Sequence, residues 1–182
     1  MLKIKQIASQ LVGTDGAEIL EAALVLPLVF MLLLGMVEFG RAFNIYATIQ
    51  QAAQKGAIIA ARDSCGTCGN ALPNANTAVD PAIAAVLQAS DLNLSRIQTW
   101  APNNATPPGV QSCPAPAPVV SCSVTTHNFW VCSSVLLNSS TQPTQCGAMV
   151  SFQYPFTFTL PFTSLNMQQI LLSAQAQSRM EN

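Results

Sequence analysis

An uninterrupted apolar run at residues 19–37 constrains this chain more than any other feature. It reads ILEAALVLPLVFMLLLGMV and carries a single charged side chain, the carboxylate of Glu21. Its length of about 19 residues is close to the roughly 20 that an α-helix needs to cross a bilayer. A charged side chain in such a run costs about 2.5–3.5 kcal/mol at the bilayer centre and less near the edge. The run therefore predicts a membrane helix, and Glu21 is a candidate functional residue.

The helical pattern continues beyond the apolar run. Apolar and small residues recur every three or four positions, and polar residues fill the opposite face, which is typical of an amphipathic helix. The predicted apolar face comprises Phe39, Phe43, Tyr46, Ile49, Ala53, Gly56 and Ala60. Membrane helices tolerate proline, so Pro27 predicts a kink or a weakened turn and not a break. We expect one helix over residues 19–62, with its first half in lipid and its second half outside.

Charge and cysteine content narrow the class of protein. Charged residues make up 8% of the chain and the formal net charge is −1, which lacks the basic footprint of a nucleic-acid-binding protein. All six cysteines follow the apolar run, and an even number on one side of a membrane segment suggests an oxidising compartment there. These disulfide candidates are Cys65, Cys68, Cys113, Cys122, Cys132 and Cys146. Six cysteines allow 15 pairings, and the sequence alone does not choose among them.

The flanks of the run indicate its orientation. Lys3 and Lys5 place the N-terminus in the cytoplasm by the positive-inside rule, so the cysteines lie outside. The residues after the run, GMVEFGRAF, lack the small-x-small cleavage site of a secretory signal peptide. We therefore expect the apolar run to be retained in the mature protein.

The rest of the chain predicts a small domain of mixed structure. Residues 81–89 indicate a short helix, with Asp80 near its cap and proline in its first turn. Strands are expected at residues 92–100, 119–126, 128–137 and 148–159, and Pro155 indicates an edge strand or a bulge. Residues 164–180 predict a closing helix. The expected fold class is α+β: a long N-terminal helix, then a small antiparallel sheet with short helices and disulfides.

No motif predicts catalysis, a cofactor or a metal site. Cys65 and Cys68 form a C-x-x-C pair, but GNALP follows, a poor helix for a redox pair, so a structural disulfide is favoured. Zinc is disfavoured because His127 is the only histidine and the compartment is oxidising. His127 has no nucleophile signature beside it and is expected to be an exposed residue at a strand end. The chain also lacks a Gly-rich phosphate loop, HExxH and GxSxG.

Three segments carry a resemblance to a known family. They are GAEILEAALVLP at residues 16–27, LGMVEFGRAF at 34–43 and QQAAQKGA at 50–57, with a looser match in VSFQYP at 150–155. They resemble the TadE-like family, minor pilins or pseudopilins of the tight-adherence pilus in the type IV pilus superfamily. The resemblance implies that a prepilin peptidase cuts between Gly16 and Ala17. Glu21 then becomes residue five of the mature chain and acts in subunit assembly.

The resemblance also implies a domain organisation and a location. Residues 1–16 are a leader, residues 17–38 the transmembrane segment, and residues 39–182 an extracytoplasmic domain into which helix 39–62 continues. The expected location is the bacterial inner membrane, with the outer domain periplasmic or extracellular, or a place in a pilus. Expected partners are other pilin subunits, pilus assembly proteins, the prepilin peptidase and inner-membrane lipid. The alternative is an envelope ligand-binding or enzymatic domain tethered by an uncleaved signal anchor, which would tolerate changes at Gly16 and Glu21.

Overall fold

The computed structural model shows an α+β chain with a long N-terminal helix, which confirms the expected fold class. It describes residues 14–62, 75–100, 107, 109–114, 119–138, 144–158 and 169–180. Helix α1 spans Thr14–Arg62 and helix α2 spans Asp80–Ala89. Within the described residues, the strands are β1 (Ser121–Val124), β2 (Trp130–Asn138), β3 (Gln145–Phe156) and β4 (Ile170–Arg179). They pair in the order β1-β2-β3-β4, and each neighbouring pair is antiparallel.

Helix α1 continues through Pro27 without a break, as predicted. The chain divides into two compact units, residues 1–41 with 159–163 and residues 42–158 with 164–182. Residues 14–41 of α1 are the described part of the first unit, and residues 42–62 belong to the second. The second unit also contains α2, the sheet and the hydrophobic core.

In the second unit, α1 buries a face of mostly small side chains. Ile49, Ala53 and Ala57 are fully buried in a core that includes residues of α2 and of the sheet. The prediction that Phe43 and Tyr46 share this face is wrong, because they are 73% and 43% exposed. At 100° per residue, Phe43 lies about 120° around the helix from Ile49, so the two side chains cannot face the same neighbour.

Gly56 lies where α1 contacts the segment that leads into α2. A Cβ at Gly56 would lie 2.7 Å from Cγ1 of Ile83 and 3.4 Å from Cγ1 of Val79. Both of these side chains are fully buried, so they have little room to move. The absence of a side chain at Gly56 therefore sets how closely the two helical segments approach.

We expect Gly56→Ala to lower the free energy of unfolding by about 1–3 kcal/mol, the range for overpacking a core. Gly40→Ala is the matched control, because a Cβ there meets nothing within 4 Å. That change should be neutral or stabilising, since alanine exceeds glycine in a helix by roughly 0.5–1 kcal/mol. Chemical unfolding of the full chain in phospholipid nanodiscs, followed by circular dichroism, measures both. Unchanged stability of Gly56→Ala would contradict the tight contact.

The strands predicted at residues 119–126, 128–137 and 148–159 are confirmed as β1, β2 and β3, with ends shifted by a few residues. Alternate side chains of β3 belong to different hydrophobic clusters. Val150 and Phe152 belong to the core with α1 and α2, whereas Met149 packs with Cys132 and Val135 of β2. The sheet therefore has a large cluster on one face and a small one on the other.

Pro155 lies in a strand that has neighbours on both sides, so the predicted edge strand is wrong for the sheet as a whole. Locally, the described pairing of β2 with β3 ends at Trp130 and Ser151. Beyond that point, Gln153 and Gln98 exchange backbone hydrogen bonds of 2.9 Å on the same side of β3. Pro155 comes two residues later, so its missing N–H interrupts no bond of the described β2–β3 ladder.

The strand predicted at residues 92–100 is wrong. A 3₁₀ turn spans Leu94–Arg96, and an isolated bridge at Gln98 is the strand-like pairing that remains. The Asn93 side-chain oxygen accepts hydrogen bonds from the N–H of Ser95 at 2.9 Å and from its hydroxyl at 2.8 Å. Such local side-chain bonds compete with a strand ladder, and here they cap the turn.

The helix predicted at residues 164–180 is also wrong, because Ile170–Arg179 is strand β4. All ten residues of β4 pair with β3, from Ile170 opposite Phe156 to Arg179 opposite Gly147. Ala174 and Ala176 are buried with the core, and the residues beside them are exposed or half-buried. Alanine and glutamine favour a helix, but the free edge of β3 outweighs that weak preference.

Two disulfides join described parts of the chain. Cys122–Cys132 links paired positions of β1 and β2 and closes a loop with a sequence separation of 10. Cys113–Cys146 ties the segment before β1 to β3, with a separation of 33. Cys65 and Cys68 lie outside the described residues.

Candidate functional site

The described part of the first unit exposes a continuous apolar helix surface. The segment Glu18–Arg62 of α1 is long and apolar enough to cross a membrane, and its most apolar part is not buried at all. Leu24 and Phe30, for example, are 72% and 58% exposed, and Phe39, predicted to be on a packed face, is 71% exposed. The core helix of a water-soluble domain would bury such side chains. This helix therefore fits a single-pass membrane anchor.

The residues that the resemblance implies for processing and assembly lie near the start of α1. The helix begins two residues before Gly16, and Ala17 follows in the same turn. The side chain of Glu21 is exposed, like that of Glu18 one turn earlier. Between Glu21 and Glu38 the chain has no charged residue. Glu21 therefore stands at the N-terminal border of the exposed apolar surface.

An ion pair between Glu38 and Arg41 lies at the C-terminal border of the exposed apolar surface. Arg41 Nη1 donates hydrogen bonds to both carboxylate oxygens of Glu38, at 2.9 and 3.1 Å. Glu38 is buried, while half of the Arg41 side chain is exposed. Pairing offsets part of the cost of removing two charges from water. The pair is absent from the sequence-based expectations, although its i,i+3 spacing is a signal for it.

A second polar cluster lies at the N-terminus of α2. His127 Nδ1 is 2.6 Å from Asp80 Oδ1, and the backbone N–H of His127 donates to Asp80 Oδ2 at 3.1 Å. The Asp80 side chain is 5% exposed and that of His127 is 37% exposed. The expectation of a simply exposed His127 at a strand end is therefore wrong, because its ring is held against Asp80 in the loop between β1 and β2. Since 47 residues separate the partners, no local pattern could have predicted the pair.

Hydrogen bonding decides the ionisation of Asp80. Burial raises the pKa of this carboxyl, but hydrogen bonds from Thr125 and His127 lower it more, so the pKa lies below its ordinary value. Next to this pair, Asn76 Oδ1 accepts hydrogen bonds from the N–H and the hydroxyl of Thr126, at 2.9 and 3.2 Å. Together these contacts fasten the β1–β2 loop to the helical segment around Asp80.

The described contacts of this cluster join the β1–β2 loop to the helical segment around Asp80. A catalytic histidine needs a nucleophile at the ring nitrogen that its orienting carboxylate leaves free. Among the described residues, no serine, threonine or cysteine hydrogen-bonds His127 Nε2. Within the same part of the chain, no group of three histidine, cysteine, aspartate or glutamate side chains could hold a metal ion.

We expect Asp80→Asn to destabilise the second unit by about 1–3 kcal/mol at neutral pH, because the charge-assisted hydrogen bonds are lost. The folded pKa of Asp80 lies below its ordinary value, so the unfolded chain binds the proton first as pH falls. The stabilisation is therefore complete above about pH 5 and is lost as pH falls through the folded pKa. Unfolding curves are measured for wild type and variant at neutral and acidic pH. Their free energies of unfolding should differ at neutral pH and converge in acid.

Asp91→Asn is the matched control for this experiment, because it alters an exposed aspartate just after α2. It should leave both the neutral-pH stability and the acid profile close to those of wild type. An Asp80→Asn deficit of the same size at neutral and acidic pH would contradict the assigned ionisation.

One comparison with known proteins identifies the N-terminal segment. Residues 16–57 match the family model TadE, described as TadE-like protein, which covers about a quarter of the chain. The match begins at Gly16, includes the apolar surface and ends one residue after Gly56, so the resemblance stated from the sequence is confirmed for this segment. No curated protein and no solved structure matches the chain.

Proposed function

We propose that this chain is a membrane-anchored minor pilin (pseudopilin), or an assembly factor, of a tight-adherence pilus. The observation that carries the proposal is the TadE-like match over residues 16–57, which coincides with an exposed apolar helix long enough to cross a bilayer. The proposed role is structural and involves no catalysis. Its partners are other pilin subunits, pilus assembly proteins, the prepilin peptidase and inner-membrane lipid.

The proposed maturation step is cleavage by a prepilin peptidase between Gly16 and Ala17. It removes residues 1–16 as a leader and leaves residues 17–38 as the transmembrane segment. Residues 39–182 then form the domain on the far side of the bacterial inner membrane. Two features support this orientation: Lys3 and Lys5 on the N-terminal flank, and disulfides downstream of the anchor.

Glu21 has a specific role in this proposal. Cleavage frees a positively charged α-amine on Ala17, and the amine of an incoming subunit pairs with Glu21 of its neighbour. The exposure of Glu21 on an otherwise apolar helix supports this role, because a carboxylate facing lipid is costly until it is paired. A buried polar contact of this kind also sets the axial register between helices. A domain that is merely tethered to the membrane would need neither the α-amine of Ala17 nor the carboxylate of Glu21.

The N-terminus of the mature chain tests the proposal directly. Intact-mass measurement and N-terminal sequencing of protein from native membranes should find a chain that starts at Ala17. Gly16→Leu should retain the leader, while Gly13→Leu, a matched change within the leader, should still be processed. A start at Met1 in all three proteins would refute the proposed maturation and favour an uncleaved anchor.

A further inference from the structure

A cavity of about 430 Å³ opens on the second unit. Residues 97–100, which follow the 3₁₀ turn, form one wall. Asn128 of the β1–β2 loop, Gln153 of β3 and Leu171 of β4 complete the lining. The volume lies in the range of small-molecule sites, about 300–1,000 Å³.

The lining is held by hydrogen bonds. Backbone bonds of 2.9 Å in each direction join Gln98 to Gln153. Asn128 has a positive φ of 64°, a conformation that asparagine tolerates, and its Nδ2 donates to the carbonyl of Ile97 at 3.2 Å. Gln153 Nε2 donates to Ser173 Oγ at 3.3 Å. These bonds leave the amide oxygens of Asn128 and Gln153 without a partner among the described residues.

The chemistry of the described lining disfavours a charged ligand. None of its side chains is ionisable. Arg96, just outside it, already donates to the Pro155 carbonyl at 3.2 Å and lies 5.6 Å from the Tyr154 ring centroid. An anion would therefore find no countercharge in the lining, and a cation would find no carboxylate.

The described lining offers two kinds of group to a neutral ligand, side-chain amides and an indole ring. The amides of Gln98, Asn128 and Gln153 supply both donors and acceptors, which match hydroxyl groups that themselves donate and accept. The half-exposed indole of Trp100 supplies a flat face with negative π density, which attracts C–H groups. A pyranose ring presents hydroxyls around its rim and C–H groups on its face. We propose that this cavity binds a neutral saccharide of one or two rings.

A proline-rich peptide fits the lining less well. Such ligands dock in grooves built from several aromatic rings and offer backbone carbonyls as acceptors. The described lining has one aromatic ring, and unpartnered acceptor oxygens that a peptide without N–H groups cannot satisfy. The inference rests on the outer domain alone and stands whether or not the leader is cleaved.

The test uses the full chain in phospholipid nanodiscs, since glycoside detergents would compete for the cavity. Glucose, galactose, mannose, N-acetylglucosamine and their common disaccharides are titrated by calorimetry and tryptophan fluorescence. Trp100 is one of two tryptophans, and the other, Trp130, is 5% exposed, so bound sugar should shift emission and protect Trp100 from acrylamide. We expect at least one neutral sugar to bind with a millimolar or tighter Kd.

Substitutions of lining residues test whether the sugar binds in this cavity. Trp100→Ala should weaken binding about tenfold or more, and Gln98→Ala should weaken it measurably with an unchanged circular dichroism spectrum. Phe43→Ala, which removes a more exposed ring from α1, should bind like wild type. Failure of every neutral sugar to bind, equal binding by Trp100→Ala, or preferential binding of a polyproline peptide or a sialylated sugar would each overturn the proposal.

Discussion

Glu21→Ala is expected to leave the protein in the membrane but to reduce its processing or its incorporation into pili severely. The apolar run loses its one carboxylate, so insertion should become easier. In the proposed assembly step, the amine of the incoming subunit loses its partner. Removing one member of a buried ion pair costs about 3–5 kcal/mol, which corresponds to an assembly equilibrium weakened on the order of a hundredfold or more. Membrane fractionation, the mass of the mature chain and the yield of sheared pili measure the three effects separately.

Glu18→Ala is the matched control for this prediction. Glu18 lies three residues earlier on the same helix, is also exposed, and stands outside the apolar run. Its replacement should change neither processing nor assembly strongly. Glu21→Gln separates charge from shape, because glutamine keeps the size of the side chain and one acceptor oxygen but carries no charge to neutralise an amine. Normal pili from Glu21→Ala, or equal defects at both positions, would remove Glu21 from the proposed mechanism.

Removing the Cys113–Cys146 disulfide is expected to be among the most destabilising changes in the second unit. Its sequence separation of 33 corresponds to a loop-closure contribution of about 4 kcal/mol in the chain-entropy account. The Cys122–Cys132 bridge, with a separation of 10, corresponds to about 3 kcal/mol. Because a small domain has only about 5–15 kcal/mol of stability, either loss should lower Tm markedly. The larger shift is expected for Cys113→Ala with Cys146→Ala.

Each double alanine variant serves as the control for the other, since both remove two sulfurs and leave no unpaired partner. Thermal and chemical unfolding of the oxidised proteins rank them, and reduction should erase the difference from wild type. The same preparations test whether the cysteines are oxidised, as expected in an oxidising compartment. Mature wild-type protein should not react with a maleimide unless a reductant is added. Strong labelling without reductant, or a Tm unaffected by both double substitutions, would contradict stabilising disulfides in the second unit.

Local sequence patterns predicted the elements whose type is favoured by their own residues. Helix α1 follows from a long apolar run and helical periodicity, and α2 from a proline in the first turn after Asp80. Strands β1 to β3 follow from β-branched and aromatic residues bounded by turns. The TadE-like segment was recognisable for the same reason, since its signature lies within one continuous stretch.

The sequence-based predictions were wrong where the structure depends on contacts between residues far apart in the chain. Residues of β4 have a helical composition, yet their ten pairs with β3 hold them as a strand. The packed face of α1 includes Ile45 and Ile49 but not Phe43, because the core contacts only part of the amphipathic surface. The disulfide pairing and the contact between Asp80 and His127 likewise depend on the tertiary fold, because each joins residues distant in sequence.

The sequence by itself determined that this protein carries an apolar helix with a carboxylate at its border, because hydropathy and periodicity are properties of neighbouring residues. The tertiary structure alone decided the fourth strand, the partners in the two described disulfides, the Asp80–His127 pair and the amide-lined cavity beside Trp100. Each of these needs groups far apart in the chain to meet. Their free energy comes from packing and hydrogen bonds that exist only after folding.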